Sequence, residues 1–382
     1  MSGGGLTIAM NGVTGRMGRS QHLERSIVAI RDQGGVELSD GSRLGIKPIL
    51  VGRNAQRLAE LAEKFDVSDW TTDMAGVLSD PSVDVYFDSQ RTDLRADSVI
   101  AAIEAGKAVY CEKPLAGTAA VAHDLARRAR AAGVKNGIVQ DKLFLPGLLK
   151  LRNLIDQGFF GRILTVKIDF GYWVFEGHDL PSQRPSWNYK ADEGGSIILD
   201  MYPHWQYVIE GLFGPIGSVS ALGVTHVPTR YEDGEAYEAT ADDAAYGTML
   251  LESGAVVQIN SSWATRVHRD DLVTFQVDGV DGSAVAGLRE CKVQSRQDTP
   301  RPVWNPDIPN PHDYRSQWAE VEPEATFDNG FKLQWERYIR HVVDGDPFPW
   351  DFESAARGSD LVDAAVISWR ERRWVDLSAF ES

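Results

Sequence analysis

Over residues 1–140 short apolar runs alternate with stretches whose apolar positions recur every three or four residues. The runs at 6–10, 48–51, 83–87, 108–111 and 137–140 read as buried strands. Between them, Leu23, Ile27 and Ile30, and then Leu58, Leu61, Ala62 and Phe65, are spaced as one face of a helix. The Gly-rich stretch 34–47 reads as a hairpin inserted before the second strand. Strands alternating with helices predict βαβ units, and so a doubly wound parallel sheet with helices on both faces. After Pro146 the pattern changes. Leu148, Leu151 and Ile155 mark a helix, and then 163–175, 218–227, 245–262, 271–277 and 285–295 are rich in β-branched and aromatic residues. Turn signals at Glu252-Ser253-Gly254 and Asp281-Gly282 predict antiparallel pairing there. A helix over 199–212 interrupts these strands, with Met201, Trp205, Val208 and Leu212 on one face and Pro203 in its first turn, where a missing N–H is harmless. Residues 329–369 are helical again and are expected to pack back on the first domain. The predicted architecture is α/β: a doubly wound parallel domain over 1–145, then an α+β domain over 146–382 with a large open antiparallel sheet.

At 382 residues the chain is long enough for two domains. Its net charge of −16 argues against duplex nucleic acid and anionic membranes as partners, since phosphate binding needs a basic footprint. No run approaches the roughly 18–20 apolar residues of a membrane span. The opening Met-Ser-Gly-Gly-Gly lacks the charged and apolar regions of a secretory signal and reads as a frayed tail. Cys111 and Cys291 are too few for a disulfide framework, so the expected compartment is the reducing cytoplasm. Of eleven tryptophans only Trp70 precedes Trp173, which suggests different jobs for the two halves.

Gly12, Gly15 and Gly18 lie between the first strand and the first helix. Glycines let such a turn tighten and let the backbone approach a pyrophosphate, while the helix start offers free N–H groups. The cofactor side is therefore expected to include Gly12, Thr14, Gly15, Arg16, Met17 and Gly18. The second strand ends Val51-Gly52-Arg53-Asn54, without the acid that binds a ribose 2′-hydroxyl in NAD sites. Arg53 could face a 2′-phosphate there, which leans to NADP. The fourth strand runs into Glu112-Lys113-Pro114, placing a lysine at the carboxyl end of a parallel strand, where ligands bind. Asp200 and His204 are four residues apart on one helix and project from one face. With no third ligand at a recognisable spacing, they do not read as a metal site.

The glycine loop, Glu112-Lys113-Pro114, and Gly194-Gly195-Ser196 followed by Asp200 and His204 resemble, in order and spacing, the signatures of the Gfo/Idh/MocA oxidoreductase family. The resemblance covers essentially the whole chain. It implies a Rossmann domain, an open-sheet second domain, a bound NAD, and oxidation or reduction of sugars or cyclitols. It implies Lys113, Asp200 and His204 as catalytic residues: His204 the general base, Lys113 on the substrate oxygen, Asp200 orienting substrate or histidine. Ser89, Gln90, Thr92, Arg95 and Glu112 fall where the family contacts its cofactor, although many members have Thr-Pro at Gln90-Arg91 and histidine at Arg95. Lys142 stands where others often carry arginine or histidine.

Tyr172 and Trp173, and the loop carrying Arg184, Trp187, Tyr189 and Lys190, combine aromatic faces with hydrogen-bonding groups and suit a pyranose. The chain is similar to the branch that oxidises the C3 hydroxyl of glycosides, including NAD-dependent oxidoreductive glycosidases of the sulfoquinovosidase type. Such enzymes oxidise C3, eliminate the aglycone, add water and return the hydride. An anionic sulfosugar would need cations, for which Arg91, Arg184, Lys190 and Arg266 are the candidates. Competing readings are a simple sugar or inositol dehydrogenase, a silent dinucleotide-binding sensor, and a two-carboxylate hydrolase using Glu176 and Asp179. The open sheet, whose large uncovered apolar face is costly to leave in water, predicts a homo-oligomer, a dimer or tetramer.

Overall fold

The computed structural model describes residues 5–323 and 327–380; the predicted frayed tail lies, apart from Gly5, outside them. The chain divides into two compact units, Met1–Phe144 with Asp328–Ser359, and Leu145–Phe327 with Asp360–Ser382.

The first unit is built on six parallel strands: β1 Leu6–Asn11, β2 Ile46–Val51, β3 Asp69–Thr71, β4 Val85–Asp88, β5 Ala108–Cys111 and β6 Asn136–Ile138, in the order β3-β2-β1-β4-β5-β6. This is the doubly wound order that reverses between β1 and β4. The edge strand β3, Asp-Trp-Thr, escapes the hydrophobic pattern because it is three residues long and has no apolar run. The hairpin expected over 34–47 forms, Val36–Glu37 pairing with Arg43–Leu44. Helix α1 runs from Gly18–Val28, with π-helical turns, into Ala29–Asp32. Then follow α2 Ala55–Lys64, α3 Met74–Ser79, α4 Thr92–Glu104 and α5 Ala119–Ala132.

Alternation along β1 sends Leu6, Ile8 and Met10 into one core and Ala9 into the other. The first core holds Leu23, Ile27 and Ile30 of α1; the second holds Val99 and Ile103 of α4 and Leu125 of α5. The tail completes both layers. Trp335, Tyr338 and Ile339 join the first core, and Phe352 and Ala356 the second.

In the second unit α6, Pro146–Asp156, precedes the large sheet. Its strands are β7 Ile163–Gly171, β8 Ile216–Val224, β9 Ala244–Leu251, β10 Val256–Ser262, β11 Val273–Gly279, β12 Gly282–Ala286, β13 Cys291–Ser295, β14 Ala319–Glu320 and β15 Val375–Asp376. They pair in the order β14-β13-β12-β11-β7-β10-β9-β8-β15. The sheet is mixed rather than wholly antiparallel, because β7 and β10 run parallel. Parallel neighbours need a long crossover, and the chain between these two includes a helix and two further strands. That helix, α7 Ile197–Phe213, packs on β8, β9 and β10. A separate hairpin pairs Thr229–Glu232 with Glu235–Glu238.

The uncovered face of this sheet departs from expectation. Thr165, Lys167, Asp169, Gln258, Asn260 and Gln276 lie in register across it, beside exposed Leu222, Tyr246 and Leu250. Alternation puts the apolar half of each strand under the helices and leaves the outer half mixed, not continuously apolar. The tail helices α8 Gly330–Asp344 and α9 Phe352–Glu371 are broken by Gly345, whose φ of 79° ends α8. No helix among the described residues is long and apolar enough to cross a membrane.

Candidate active site

In the first unit the glycine loop sits at the carboxyl ends of β1 and β4, where the strand order reverses. Gly12 has φ +83°, and a Cβ there would stand 2.6 Å from the Ser89 carbonyl carbon and 2.8 Å from the Gln90 nitrogen. A Cβ on Gly18 would meet the Gly12 carbonyl oxygen at 2.5 Å. The Gly15 amide closes the turn on the Gly12 carbonyl at 3.0 Å. Ser89 fastens the second strand end to the first, its hydroxyl donating to the Asn11 carbonyl at 3.0 Å. Gly15 and Arg16 are exposed, with Thr14 and Met17 half-buried. A cradle with no room for side chains on its inner wall, and helix-start amides on its open side, fits a dinucleotide pyrophosphate. Arg53 is exposed just past β2, before Asn54 caps α2.

Asp88, fully buried at the end of β4, organises the neighbouring loop. It accepts hydrogen bonds from the Tyr86 hydroxyl at 2.7 Å, the Gln90 amide and side chain at 3.0 and 2.9 Å, and Arg95 Nε at 3.1 Å. Arg95 was expected at the cofactor. It is instead enclosed, its remaining donors on the carbonyls of Gln90 and Pro114, so it ties this loop to the one carrying Lys113. Thr92 opens α4 and is half-buried, while Arg91 is exposed and paired with Asp93 at 2.9 Å.

Glu112 and Lys113 follow β5 directly, and the Lys113–Pro114 peptide is cis. The Glu112 carboxylate contacts His22 Nε2 at 2.8 Å and accepts the Lys113 backbone N–H at 3.0 Å. Burial pushes its pKa up, but the His22 hydrogen bond and the nearby Lys113 and Arg95 charges outweigh that and leave it below the ordinary value. Lys142, in the short turn Asp141–Phe144, is half-buried with its ammonium 4.0 Å from Asp141.

In the second unit the catalytic candidates lie at the start of α7. Ser196 caps the helix, accepting the Leu199 N–H at 3.1 Å. The helix opens at Ile197, earlier than the pattern indicates, so Pro203 lies inside it and not in its first turn. The lost bond falls on the carbonyl of Leu199, an exposed residue. Asp242 receives the Ile198 N–H at 3.0 Å and holds the helix start from below. His204 is buried, its Nδ1 sharing a 2.8 Å hydrogen bond with the Tyr207 hydroxyl.

Asp200 is held by Arg184, whose Nη2 donates to it at 2.7 Å and to the Asn188 side chain at 2.8 Å. The guanidinium lies 4.1 Å over the ring of Trp263, and its Nη1 is 3.5 Å from the Tyr172 hydroxyl. Burial disfavours the Arg184 charge, but Asp200 and the Tyr172 hydroxyl together outweigh it and raise its pKa.

The rest of the predicted sugar loop divides by exposure. Trp187 is exposed, and Trp173 is half-buried under the Arg266 guanidinium at 4.1 Å. Tyr189 is fully enclosed between Trp263 and an Arg230 guanidinium 3.7 Å over its ring. That burial pushes its hydroxyl up to about 12 and makes it the floor of the loop. Lys190 pairs with Glu193 at 3.0 Å. A cavity of about 590 Å³ opens between this loop and the hairpin, lined by Gln183, Ser186, Tyr231 and Tyr237. The pattern missed His22, Asp88 and Trp263. Asp88 had a signal, a carboxylate ending an apolar strand at the ligand edge of the sheet; the other two look like ordinary helix and strand residues.

Residues 7–139 match the model described as "Oxidoreductase family, NAD-binding Rossmann fold", and residues 148–285 the "GFO/IDH/MocA C-terminal domain". The chain is 54% identical over 377 residues, 97% of each chain, to the D-xylose dehydrogenase of Paenarthrobacter nicotinovorans. It is 26% identical to the levoglucosan dehydrogenase of Pseudarthrobacter phenanthrenivorans, across 63% of this chain and 65% of that one. Its fold matches a solved levoglucosan dehydrogenase in complex with NADH and L-sorbose with a TM-score of 0.79, at 22% identity, over 99% of this chain and 100% of the other.

Proposed function

This chain belongs to the Gfo/Idh/MocA oxidoreductase family, with an NAD-binding Rossmann domain, and from that premise we propose that it is an NAD-dependent dehydrogenase of a neutral sugar, D-xylose being the first candidate. The observation that carries the substrate class is the 54% identity, across 97% of both chains, to a relative named for that aldose. The state of the cations supports it. Arg184 is engaged by Asp200, Lys190 by Glu193, Arg91 by Asp93, and Arg266 by the face of Trp173. An anionic sulfosugar would have to displace one of these partners; a neutral pyranose needs only hydrogen bonds and an aromatic face.

Bound NAD supplies the hydride acceptor. The chain's own residues manage the proton and the oxygen. His204 takes the hydroxyl proton on Nε2, with Nδ1–H donating to the Tyr207 oxygen and holding the ring in that tautomer. Lys113 keeps the role the sequence resemblance gives it, donating to a substrate oxygen, and Asp200, held by Arg184, accepts from a substrate hydroxyl. The sequence resemblance points to C3 as the carbon that loses hydride. We also hold the chain to be a homo-oligomer through the face around Leu222, Tyr246 and Leu250; a single monomer boundary in sedimentation at micromolar concentration would correct this.

The test is a panel of free sugars and aryl glycosides incubated with enzyme and NAD, followed by reduced-nicotinamide absorbance and product identification. We expect reduced cofactor to form with D-xylose or a similar neutral sugar, and Lys113→Ala to abolish it. A lactone product would move the oxidised carbon from C3 to C1. Release of free sugar from a glycoside with no net reduced cofactor would replace this reading with redox-neutral cleavage.

A further inference from the structure

We propose that the cavity between the loop over 177–186 and the hairpin over 229–238 is a second sugar subsite, so that the enzyme takes disaccharides of a neutral sugar, one ring at Asp200 and the next in the cavity. The inference rests on the reading above of the chain as a neutral-sugar dehydrogenase.

The walls of this cavity are fixed before any ligand arrives. At one end the Glu176 carbonyl accepts the Tyr231 N–H at 2.8 Å. Gly177, with φ +97°, lets the two backbones touch, since a Cβ there would stand 2.2 Å from the Tyr231 carbonyl oxygen. Across the cavity the Ser186 hydroxyl donates to Glu232 Oε1 at 2.6 Å. The loop is pinned within itself by Gln183, which accepts the Phe175 N–H at 2.9 Å and donates to the Trp173 carbonyl at 3.2 Å. Arg230 roots the hairpin. It is 1% exposed, donates to the buried Asp243 at 3.3 Å and lies over the Tyr189 ring. Walls held in this way lose little freedom when a ligand binds between them.

The lining selects the ligand class. The volume of about 590 Å³ is that of a small-ligand pocket. Tyr231 and Tyr237, both half-buried, supply flat surfaces for the C–H face of a sugar ring. Glu232 Oε2 and the Asp233 carboxylate supply acceptors for hydroxyls. Those two carboxylates oppose an anion. Arg184 in the wall and the Lys190 ammonium, 5.1 Å over the Tyr237 ring, oppose a cation. A neutral polyol is what remains. The cavity also adjoins the proposed reacting position, because the Arg184 that lines it donates through Nη2 to Asp200 at 2.7 Å. One arginine side chain separates the two sites, and a glycosidic link joins rings over a comparably short span.

The test gives the full-length enzyme, with NAD, either D-xylose (or the neutral monosaccharide that the panel selects) or its 1→4-linked disaccharide. A second ring that gains an aromatic face and a hydrogen bond should raise kcat/KM about 10-fold over the monosaccharide. Product identification shows which ring is oxidised, and so whether the cavity lies on the O1 or the O4 side of it. Tyr237→Ala should lower the ratio of disaccharide to monosaccharide kcat/KM about 3–10-fold. A crystal structure of the native enzyme with NADH and the disaccharide should place the second ring against Tyr231 and Tyr237. If Tyr237→Ala does not fold, the native comparison and that complex decide. A disaccharide used no better than the monosaccharide overturns the proposal, as does an unmoved ratio in folded Tyr237→Ala or a second ring outside the cavity. Any of these leaves the function assigned above standing, provided the monosaccharide is oxidised. No reduced cofactor from any neutral sugar, single or linked, overturns that function and this proposal with it.

Discussion

Replacing Arg184 tests whether Asp200 acts as a fixed acceptor. In the native structure one guanidinium nitrogen donates to Asp200 at 2.7 Å and to Asn188 at 2.8 Å, while the group stacks 4.1 Å over Trp263. The arginine side chain is 21% exposed and the aspartate 30%, so the pair lies between a surface salt bridge and a buried one. A hydrogen bond to a charged group is worth about 1.5–3 kcal/mol, and a cation over an exposed or partly buried ring about 0.5–2 kcal/mol. Arg184→Ala should therefore cost about 2–4 kcal/mol of stability. If Asp200 meets the sugar as proposed and about 2–3 kcal/mol of that is felt there, kcat/KM falls about 30–150-fold. Arg184→Lys keeps the charge but loses the flat fork and most of the stacking, and should recover only part of the loss. The assay is steady-state kinetics on the neutral sugar identified by the panel, alongside thermal unfolding of each variant. Arg184→Lys with native kcat/KM would show that fixed geometry at Asp200 is irrelevant. A loss confined to anionic sugars would show instead that Arg184 binds substrate charge, contrary to its pairing with Asp200.

Two further outcomes follow from the same geometry. Gly12→Ala forces φ +83° on a residue with a Cβ and drives that carbon into the backbone of Ser89 and Gln90; we expect a stability loss of about 2–4 kcal/mol and loss of NAD binding by calorimetry, and native affinity would contradict the cradle. Burial raises the Asp242 carboxyl above its ordinary 3.8, so the native fold favours its protonated form and loses that advantage as pH rises through the raised value. Asp242→Asn, which mimics the neutral acid and can still accept the Ile198 N–H, should raise the melting temperature at neutral pH and give no gain below about 3.8; a pH-independent difference would show that burial of charge is not the cause.

Much of the fold was legible because its information is local. The spacing of Leu23, Ile27 and Ile30 and the apolar runs of β1, β4 and β5 report one-sided or two-sided burial, and burial is set mainly by the side chains present. The glycine loop was legible for the same reason: a positive φ at Gly12 and a Cβ-free contact at Gly18 restrict which residues can stand there. The parallel pairing of β7 with β10 was not, because neighbouring strands in a sheet are chosen by packing between distant segments. Nor was the burial of Tyr189, since an aromatic in a loop rich in polar residues carries no sign of which face the loop turns inward.

The amino-acid pattern by itself determined two kinds of architecture, the nucleotide-binding character of the first, and the motif residues Lys113, Asp200 and His204. It left the tryptophans misdivided: Trp335 and Trp350 lie far along the chain yet belong to the first unit, where Trp335 bonds His22. Tertiary structure alone decided which polar groups face each other. It set Arg95 on Asp88, Arg184 on Asp200, and His22 on Glu112. The physical reason is that a hydrogen bond or ion pair depends on ångström-scale placement of groups from separate elements. Hydrophobic burial needs only the right kind of residue at the right period.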